Sequence, residues 1–390
     1  MAAQALRIVV PRFGTEVVGG SESLARRLAD ALASRGWRIE VFTTTAVDEA
    51  TWRGALAREE RTAAGYPVRR FPVRWRRRPA AFHQATRAFF RLPSRVRPEP
   101  IWLRAQGPYA PGIVAALAQA EGMPTLFTPY LFYPTLYGLP AAPHPRLLIP
   151  AAHDERPLRL AAVARVIGAT DGLWYGTPEE RELVERVHPA ARGVPNAVGT
   201  VGVEITSGDP QRFRARFALA GPVLVYGGRA TPGKGIDVML AAVERLRRRH
   251  PDATLVLAGH DHVAAPAQEG VVATGNLDDR AWHDALAAAV AVVVPSPMES
   301  LSMLALEAWA AGRPCLLNAA SPVLRGQLER SGGGLAFSGA SELAEAARSL
   351  LEDPAAADRM GKAGRAYVEA NHRWDAVIDR LASLLVAASR

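Results

Sequence analysis

The sequence predicts an α/β protein built from two doubly wound, Rossmann-like domains. Three observations carry that expectation. Near the start, Leu6 to Val10 (LRIVV) is a short apolar, β-branched run. A helical pattern follows it, with Leu24, Leu28, Ala31 and Leu32 at three- and four-residue spacing, and then a second strand-like run, Ile39 to Thr43. The same theme restarts past the middle of the chain. There Val223 to Tyr226 leads through a Gly-rich loop, Gly227 to Gly235, into a helix from Ile236 to Arg249. Finally, the chain has 390 residues, 49% of them hydrophobic, enough for two cores at about 150 residues per domain.

Each element has a local reason. The first helix should stop at Gly36, a residue suited to the left-handed conformation that ends helices. Strand, helix and parallel strand imply a right-handed crossover. Further strands are expected at Thr125 to Phe127, Leu147 to Pro150 and Leu173 to Gly176, the last leading into a helix from Pro178. Val194-Pro195-Asn196 and the polar stretch Thr206 to Asp209 read as a domain junction. Beyond it, strands are expected at Thr254 to Ala258, Val271-Val272, Ala291 to Val294 and Cys315 to Leu317, with helices between. The last helix, Trp374 to Ala388, carries an apolar stripe of Val377, Ile378, Leu381, Leu384 and Leu385 and could pack back on the first domain. The expected division is therefore residues 1–195 with 373–390, and residues 196–372.

Composition narrows the function classes. The single cysteine, Cys315, excludes an internal disulfide and fits a reducing compartment; in the run Cys315-Leu316-Leu317 it reads as a small core residue. No apolar stretch reaches the ~18 to 20 residues of a membrane span. The N-terminal residues lack the layout of a signal peptide. The expectation is a cytoplasmic protein. Net charge is +9, but the 11 arginines between Arg61 and Pro98, with no acidic residue among them, exceed it, so the basic character is local.

Two constellations could do chemistry. In the loop Gly228 to Gly235, Arg229 and Lys234 stand five residues apart just before a helix. Backbone amides and the helix dipole favour an anion there. Two fixed cations could hold a diphosphate and stabilise it as a leaving group without a metal. The loop also matches G-x-x-x-x-G-K, but Gly235 stands where a P-loop needs Ser or Thr for Mg²⁺. The second constellation is the Pro-rich loop and helix after Val294, with Glu299 before the helix and Glu307 inside it, among Leu304, Ala305, Leu306, Ala308 and Trp309. A carboxylate in such company is costly unless paired. Eight residues of helix rise by roughly 12 Å, about the reach from the ribose of a nucleotide-sugar to its hexose. The amides of Leu301, Ser302 and Met303 would face the phosphates. A structural cap or salt bridge is the competing reading of Glu307.

These residues resemble family 4 of the retaining glycosyltransferases (glycosyl transferases group 1), of the GT-B fold: two Rossmann-like domains facing across a cleft, with a C-terminal helix returning to the first. The family's G-R-x-x-x-x-K-G reads here as Gly228-Arg229 to Lys234-Gly235, and its E-x7-E as Glu299 to Glu307. By this resemblance Arg229 and Lys234 bind the donor diphosphate, Glu299 the sugar hydroxyls and Glu307 the ribose. Gly19-Gly20-Ser21-Glu22 is similar to the family's early glycine loop, near phosphates and acceptor. Val194-Pro195-Asn196 is similar to its domain-junction motif and Trp374 to the aromatic opening its last helix. The likeness covers nearly the whole chain and is weakest between residues 45 and 125. Ser302 replaces the usual glycine. The junction lacks the usual Asp. The loop after Thr128-Pro129, where many members have a catalytic His, reads Tyr130-Leu131-Phe132-Tyr133. The resemblance implies transfer with retention from a UDP-, GDP- or ADP-hexose, with no metal and no other cofactor, to a sugar, lipid-linked or small-molecule acceptor in cell-surface glycan, glycolipid or glycoside synthesis. Base selectivity would fall to backbone near Asn276-Leu277 and Gly259-His260.

His153-Asp154-Glu155 is the substitute acceptor-side candidate, beside Glu22 and Tyr133. A His flanked by carboxylates could hydrogen-bond the sugar or the acceptor hydroxyl, or the trio could be a turn in which Asp154 caps a helix. The segment Arg69 to Arg97 interleaves arginines with Phe71, Trp75, Phe82, Phe89 and Phe90. Helical spacing of Phe82, Ala85 and Phe89 beside Arg78, Arg87 and Arg91 gives a basic, aromatic helix that could lie on an anionic membrane, peripherally at the inner face of the plasma membrane. A solvated face is the plain alternative. No nucleic-acid motif accompanies the charge. Two rival classes remain at this level: an NTP-hydrolysing protein using Lys234, and a basic scaffold with a degenerate site.

Overall fold

The computed structural model describes residues 4–17, 19–205, 207–228, 232–259 and 268–390. The chain forms two compact units: residues Met1–Val201 with Val377–Arg390, and residues Gly202–Ala376.

The first unit is built on an eight-stranded sheet. Its strands are β1 (Ala5–Val9), β2 (Arg38–Thr44), β3 (Glu59–Arg61), β4 (Pro67–Phe71), β5 (Thr125–Phe127), β6 (Arg146–Leu148), β7 (Gly172–Tyr175) and β8 (Asn196–Val198). They lie in the order β3-β4-β2-β1-β5-β6-β7-β8. All neighbours are parallel except β3 and β4. The central strands are short apolar runs buried on both faces, as helix-covered parallel sheets require. The chain steps from β1 to β2 on one side, then returns to β5 on the other. The order therefore switches between β1 and β5, and the loops that leave their C-terminal ends sit at that switch point.

The second unit repeats the plan with six parallel strands: β9 (Val223–Gly227), β10 (Thr254–Ala258), β11 (Val271–Gly275), β12 (Ala291–Val294), β13 (Cys315–Asn318) and β14 (Gly334–Phe337). The order is β11-β10-β9-β12-β13-β14, so this sheet switches between β9 and β12. Cys315 is fully buried in β13, and burial pushes its thiol up, as suits a core residue.

Several expectations are corrected. The strand placed at Leu147 to Pro150 runs from Arg146 to Leu148, so Ile149 and Pro150 already belong to the loop toward His153. Asn196, read as part of a domain junction, opens β8, paired to β7 through Leu173. The helix Pro79–Arg91 is present, but its aromatic stripe faces inward. Trp102 takes Phe82 and Phe89 in stacks, with ring centroids 5.9 and 5.2 Å away, and Phe90 edge-on at 5.5 Å. Helical spacing locates a stripe without saying which side the core is on. In and around this basic segment, the large apolar side chains left exposed are Trp75, Leu92, Val96 and Ile101.

In the last helix, Trp374–Ala388, the side chains of Val377, Ile378, Leu381 and Leu384 are buried, and Leu384 and Ala388 lie against Gly172 of β7. Arg380 donates to the Gly199 carbonyl at 3.1 Å. Its first residue, Trp374, lies against Gly202, and the Val203 amide donates to the His372 carbonyl at 2.9 Å. Among the described residues, no helix is long and apolar enough to cross a membrane.

Candidate functional site

In the second unit, the described residues of both predicted constellations follow the carboxyl ends of β9 and β12, the two strands at the switch point, where open α/β sheets receive ligands. After Gly228 the loop closes with a turn of 3-10 helix, Pro232–Lys234. Gly235 then opens the helix Ile236–Arg247 in the left-handed conformation, φ 75°. A Cβ there would stand 2.9 Å from the Pro295 carbonyl oxygen, so the position needs glycine twice over. This is the physical reason a P-loop Ser or Thr is absent.

That tight turn delivers Lys234 to the β12 loop. Its Nζ donates to Glu299 Oε1 at 2.9 Å and to Ser296 Oγ at 3.3 Å. Ser296 is buried and donates to the Met298 carbonyl at 3.0 Å, bracing the loop that carries Glu299. The ion pair is partly exposed, so a ligand can reach it: 37% of the Lys234 side chain and 16% of that of Glu299 are open. Arg229, the other predicted phosphate ligand, lies outside the described residues, as does His260.

Glu299 and Glu307 do not share one helix. The helix runs from Met303 to Ala310, leaving Glu299 in the loop four residues earlier, so the helical-rise estimate of their separation does not apply. Ser302 is the cap, its Oγ accepting from the Ala305 amide at 3.2 Å. Its own amide donates to Gln327 Oε1 at 3.1 Å. Of the three amides expected to face phosphates, that of Ser302 is thus already engaged. Glu307 is half-buried and Oε2 accepts from Trp282 Nε1 at 2.9 Å. Trp282 packs over Gly227 at the end of β9, where a Cβ would strike its ring. Asn276 and Leu277 follow β11 at the same edge of the sheet, Asn276 exposed and Leu277 half-buried.

In the first unit the glycine loop after β1 meets a buried ion pair. Arg12 contacts Glu22 Oε1 through Nε at 2.9 Å and Nη2 at 2.7 Å, with both side chains nearly closed to solvent. Gly19 lies so close to the Glu22 carboxylate that no Cβ fits, whereas the space at Gly20 is open. Glu22 is therefore held by Arg12 within this unit. Tyr133 is 6% exposed, wedged between Tyr109 and Tyr137 at 4.9 and 4.6 Å, and burial pushes its phenol up to about 12.

His153, Asp154 and Glu155 fall in the loop after β6 and divide in role. Asp154 is exposed and pairs with Arg159 at 2.6 Å instead of capping a helix. Glu155 Oε1 accepts from the Tyr130 hydroxyl at 2.8 Å. His153 is half-buried, and its Nδ1 is closed to solvent without a hydrogen-bond partner. Among the described residues no group of His, Cys, Asp and Glu is arranged to hold a metal ion.

Arg12, Trp282, Ser296 and Gln327 were not legible in the sequence. Each acts through a side-chain partner at least ten residues away or in another loop or helix, and nothing in local spacing announces that. Glu180 went unread for the same reason. It is a helical residue after Thr177-Pro178, yet its carboxylate turns back to accept the Ala152 and Gly176 amides.

Two largely parallel sheets, each with candidate residues in loops at its C-terminal edge, and a last helix completing the first unit define a GT-B-type protein of two Rossmann-like units. The chain belongs to the family described as Glycosyl transferases group 1, whose profile matches residues 209–367, with a Glycosyl transferase 4-like domain at residues 19–199. It is similar to a glycogen synthase of Mycobacterium tuberculosis, 36% identical over 192 residues, 46% of each chain. A D-inositol 3-phosphate glycosyltransferase of Frankia alni is 28% identical over 93% of both chains. The chain spans about half the length of the glycogen synthases it matches. Among solved structures, sucrose-phosphate synthase from Thermosynechococcus elongatus superposes with a TM-score of 0.73 at 20% identity, covering 99% of this chain and 100% of that one. Anabaena HepE in complex with UDP-glucose superposes with a TM-score of 0.71 at 15% identity, covering 98% and 99%.

Proposed function

We propose that the protein is a retaining hexosyltransferase that moves a sugar from a nucleoside-diphosphate donor to an acceptor hydroxyl. The observation that carries this reading is the meeting of Lys234 with Glu299, 2.9 Å apart, at the β9/β12 switch point. An ammonium and a carboxylate there suit the two ends of a sugar diphosphate: Lys234, with Arg229, takes the phosphate oxygens, and Glu299 the sugar hydroxyls. Glu307, held through Trp282 to the end of β9, takes the ribose hydroxyls. In the reaction the bond from the anomeric carbon to the diphosphate oxygen breaks. The bond to the acceptor oxygen forms on the same face, and the acceptor proton leaves with the diphosphate. The cations stabilise the charge that develops on that leaving group.

Relatives support a nucleotide-sugar donor. One mannosyltransferase of Corynebacterium glutamicum, 27% identical over 52% of this chain and 58% of its own length, is named for its dependence on GDP-mannose. On the acceptor side we assign His153 to the acceptor hydroxyl, because its ring nitrogen is buried without a partner. We further propose that the acceptor is lipid-linked and that the first unit docks peripherally on an anionic bilayer at the inner face of the plasma membrane. Leu92, Val96 and Ile101, 41%, 58% and 69% exposed, lie in one basic stretch with Arg91 and Arg95.

Isothermal titration calorimetry with UDP-, GDP- and ADP-sugars and the free diphosphates tests the reading. One nucleotide series should bind without added metal. Binding of none would refute it. Magnesium-dependent ATP hydrolysis lost in Lys234→Ala would favour the nucleotidase alternative, which the glycine-only geometry at Gly235 opposes.

A further inference from the structure

Glu180 is 1% exposed, and among the described residues no cation is bonded to it. Its partners are backbone amides: Ala152 donates to Oε1 at 2.7 Å and Gly176 to Oε2 at 2.6 Å. Burial pushes its carboxyl up to about 7 against the pull of these amides and that of Ala151. A carboxylate kept in such a place is an expense that its own helix does not require. Thr177 already caps the helix Pro178–Val187, accepting from the Glu180 amide at 3.2 Å.

What the carboxylate does is join two loops. Ala152 belongs to the loop after β6 and Gly176 to the loop after β7, both at the C-terminal edge of the first sheet. The β6 loop bends through Ala151 in the left-handed conformation, φ 51°, which a residue with a Cβ adopts only when its surroundings impose it. The next residue but one is His153, whose carbonyl accepts the Glu155 amide at 2.8 Å and whose Nδ1 is buried without a partner. The backbone on both sides of the imidazole is thus fixed, while the imidazole keeps an unused nitrogen.

We propose that Glu180 is the positioning residue for His153: its carboxylate locks the Ala151–Ala152 bend and so sets the imidazole to receive the acceptor hydroxyl. The inference rests on the role assigned to His153 in sugar transfer. Glu180 touches no substrate and acts only through the loop. A glutamine would keep the shape but offer one acceptor oxygen to two amides and turn an NH2 toward the other, so the bend should loosen.

The test uses the full chain, with Glu180→Gln, His153→Ala and the double variant. Turnover of the nucleotide-sugar that calorimetry identifies is followed by diphosphate release. Glu180→Gln should lower turnover about tenfold or more with donor affinity unchanged. The double variant should be no slower than His153→Ala alone, since a residue that works through another adds nothing once that one is gone. Unchanged turnover in Glu180→Gln, or losses that multiply in the double variant, would overturn the proposal. A second reading needs no activity. In NMR, the His153 ring resonances should shift in Glu180→Gln while those of exposed His83 stay fixed. If wild type turns over no nucleotide-sugar, the functional reading falls and the imidazole shift alone decides the positioning role; no shift would sink it. Should Glu180→Gln fail to fold, Glu180→Asp carries the same comparisons.

Discussion

At the scale of single residues, the donor side turns on Lys234. Its ammonium is bonded to Glu299 and Ser296. Lys234→Ala removes a charge-assisted contact to phosphate worth about 1.5–3 kcal/mol. Nucleoside diphosphate affinity should fall roughly ten- to hundredfold in calorimetry, with the fold unchanged by circular dichroism. Trp282→Phe tests a subtler point. It keeps the ring against Gly227 but removes the N–H that Glu307 Oε2 accepts at 2.9 Å. A loss of about 1 kcal/mol in nucleotide affinity is expected, and an unchanged affinity would detach Glu307 from the ribose. Residue types and spacing were enough to single out Lys234, Glu299 and Glu307, because loop cations and carboxylates in apolar company are conspicuous. Glu180 and Arg12 were not conspicuous. Their partners are backbone amides and an acid ten residues away, and such contacts exist only once the loops have folded.

At the scale of elements, the turn at Gly235 is the tightest joint of the donor site. Gly235→Ala meets both a left-handed φ and the Pro295 carbonyl. It should cost about 1–2 kcal/mol in urea denaturation and weaken donor binding as Lys234 swings away. The helix Pro79–Arg91 is held by Trp102, and Trp102→Ala should cost about 3–5 kcal/mol by leaving Phe82, Phe89 and Phe90 without their partner. Strands with continuous apolar runs, such as β1, β9 and β12, were legible because a buried parallel strand leaves little choice of composition. β3 reads Glu59-Glu60-Arg61 and is exposed throughout; β8 is a three-residue edge strand opening on the exposed Asn196, with Ala197 and Val198 half-buried. Their pairing is made by neighbours, so composition is silent about them. The aromatic stripe was legible as a stripe, but its direction depended on Trp102 in another helix.

At the scale of the whole molecule, Glu180 also makes stability depend on pH. Its carboxyl is raised to about 7 in the fold, above the ordinary value of about 4.5 in an unfolded chain. The folded state therefore binds that proton more tightly. The stability it contributes is fully present below about pH 4.5 and is lost as pH rises through about 7. The buried Tyr175 hydroxyl is pushed up by burial and by the charges of Glu185 and Glu180, so it stays protonated through this range. Wild type minus Glu180→Gln should thus decline in thermal midpoint between roughly pH 5 and pH 8. Docking on membranes is tested on a different axis. Arg87, Arg91 and Arg95 replaced together by Ala should weaken sedimentation with phosphatidylserine vesicles by roughly 1 kcal/mol per charge, and added salt should mimic the change.

The last helix carries a consequence for how the chain is made. The first unit owns residues up to Val201 and again from Val377, and its β7 is covered by Leu384 and Ala388. The ribosome finishes the whole second unit before it supplies that cover. The second unit is continuous, and the bond from Val203 to His372 clasps its two ends, so it can close on its own while the first still waits. Biogenesis should then run out of sequence order, with the unit begun first completed last.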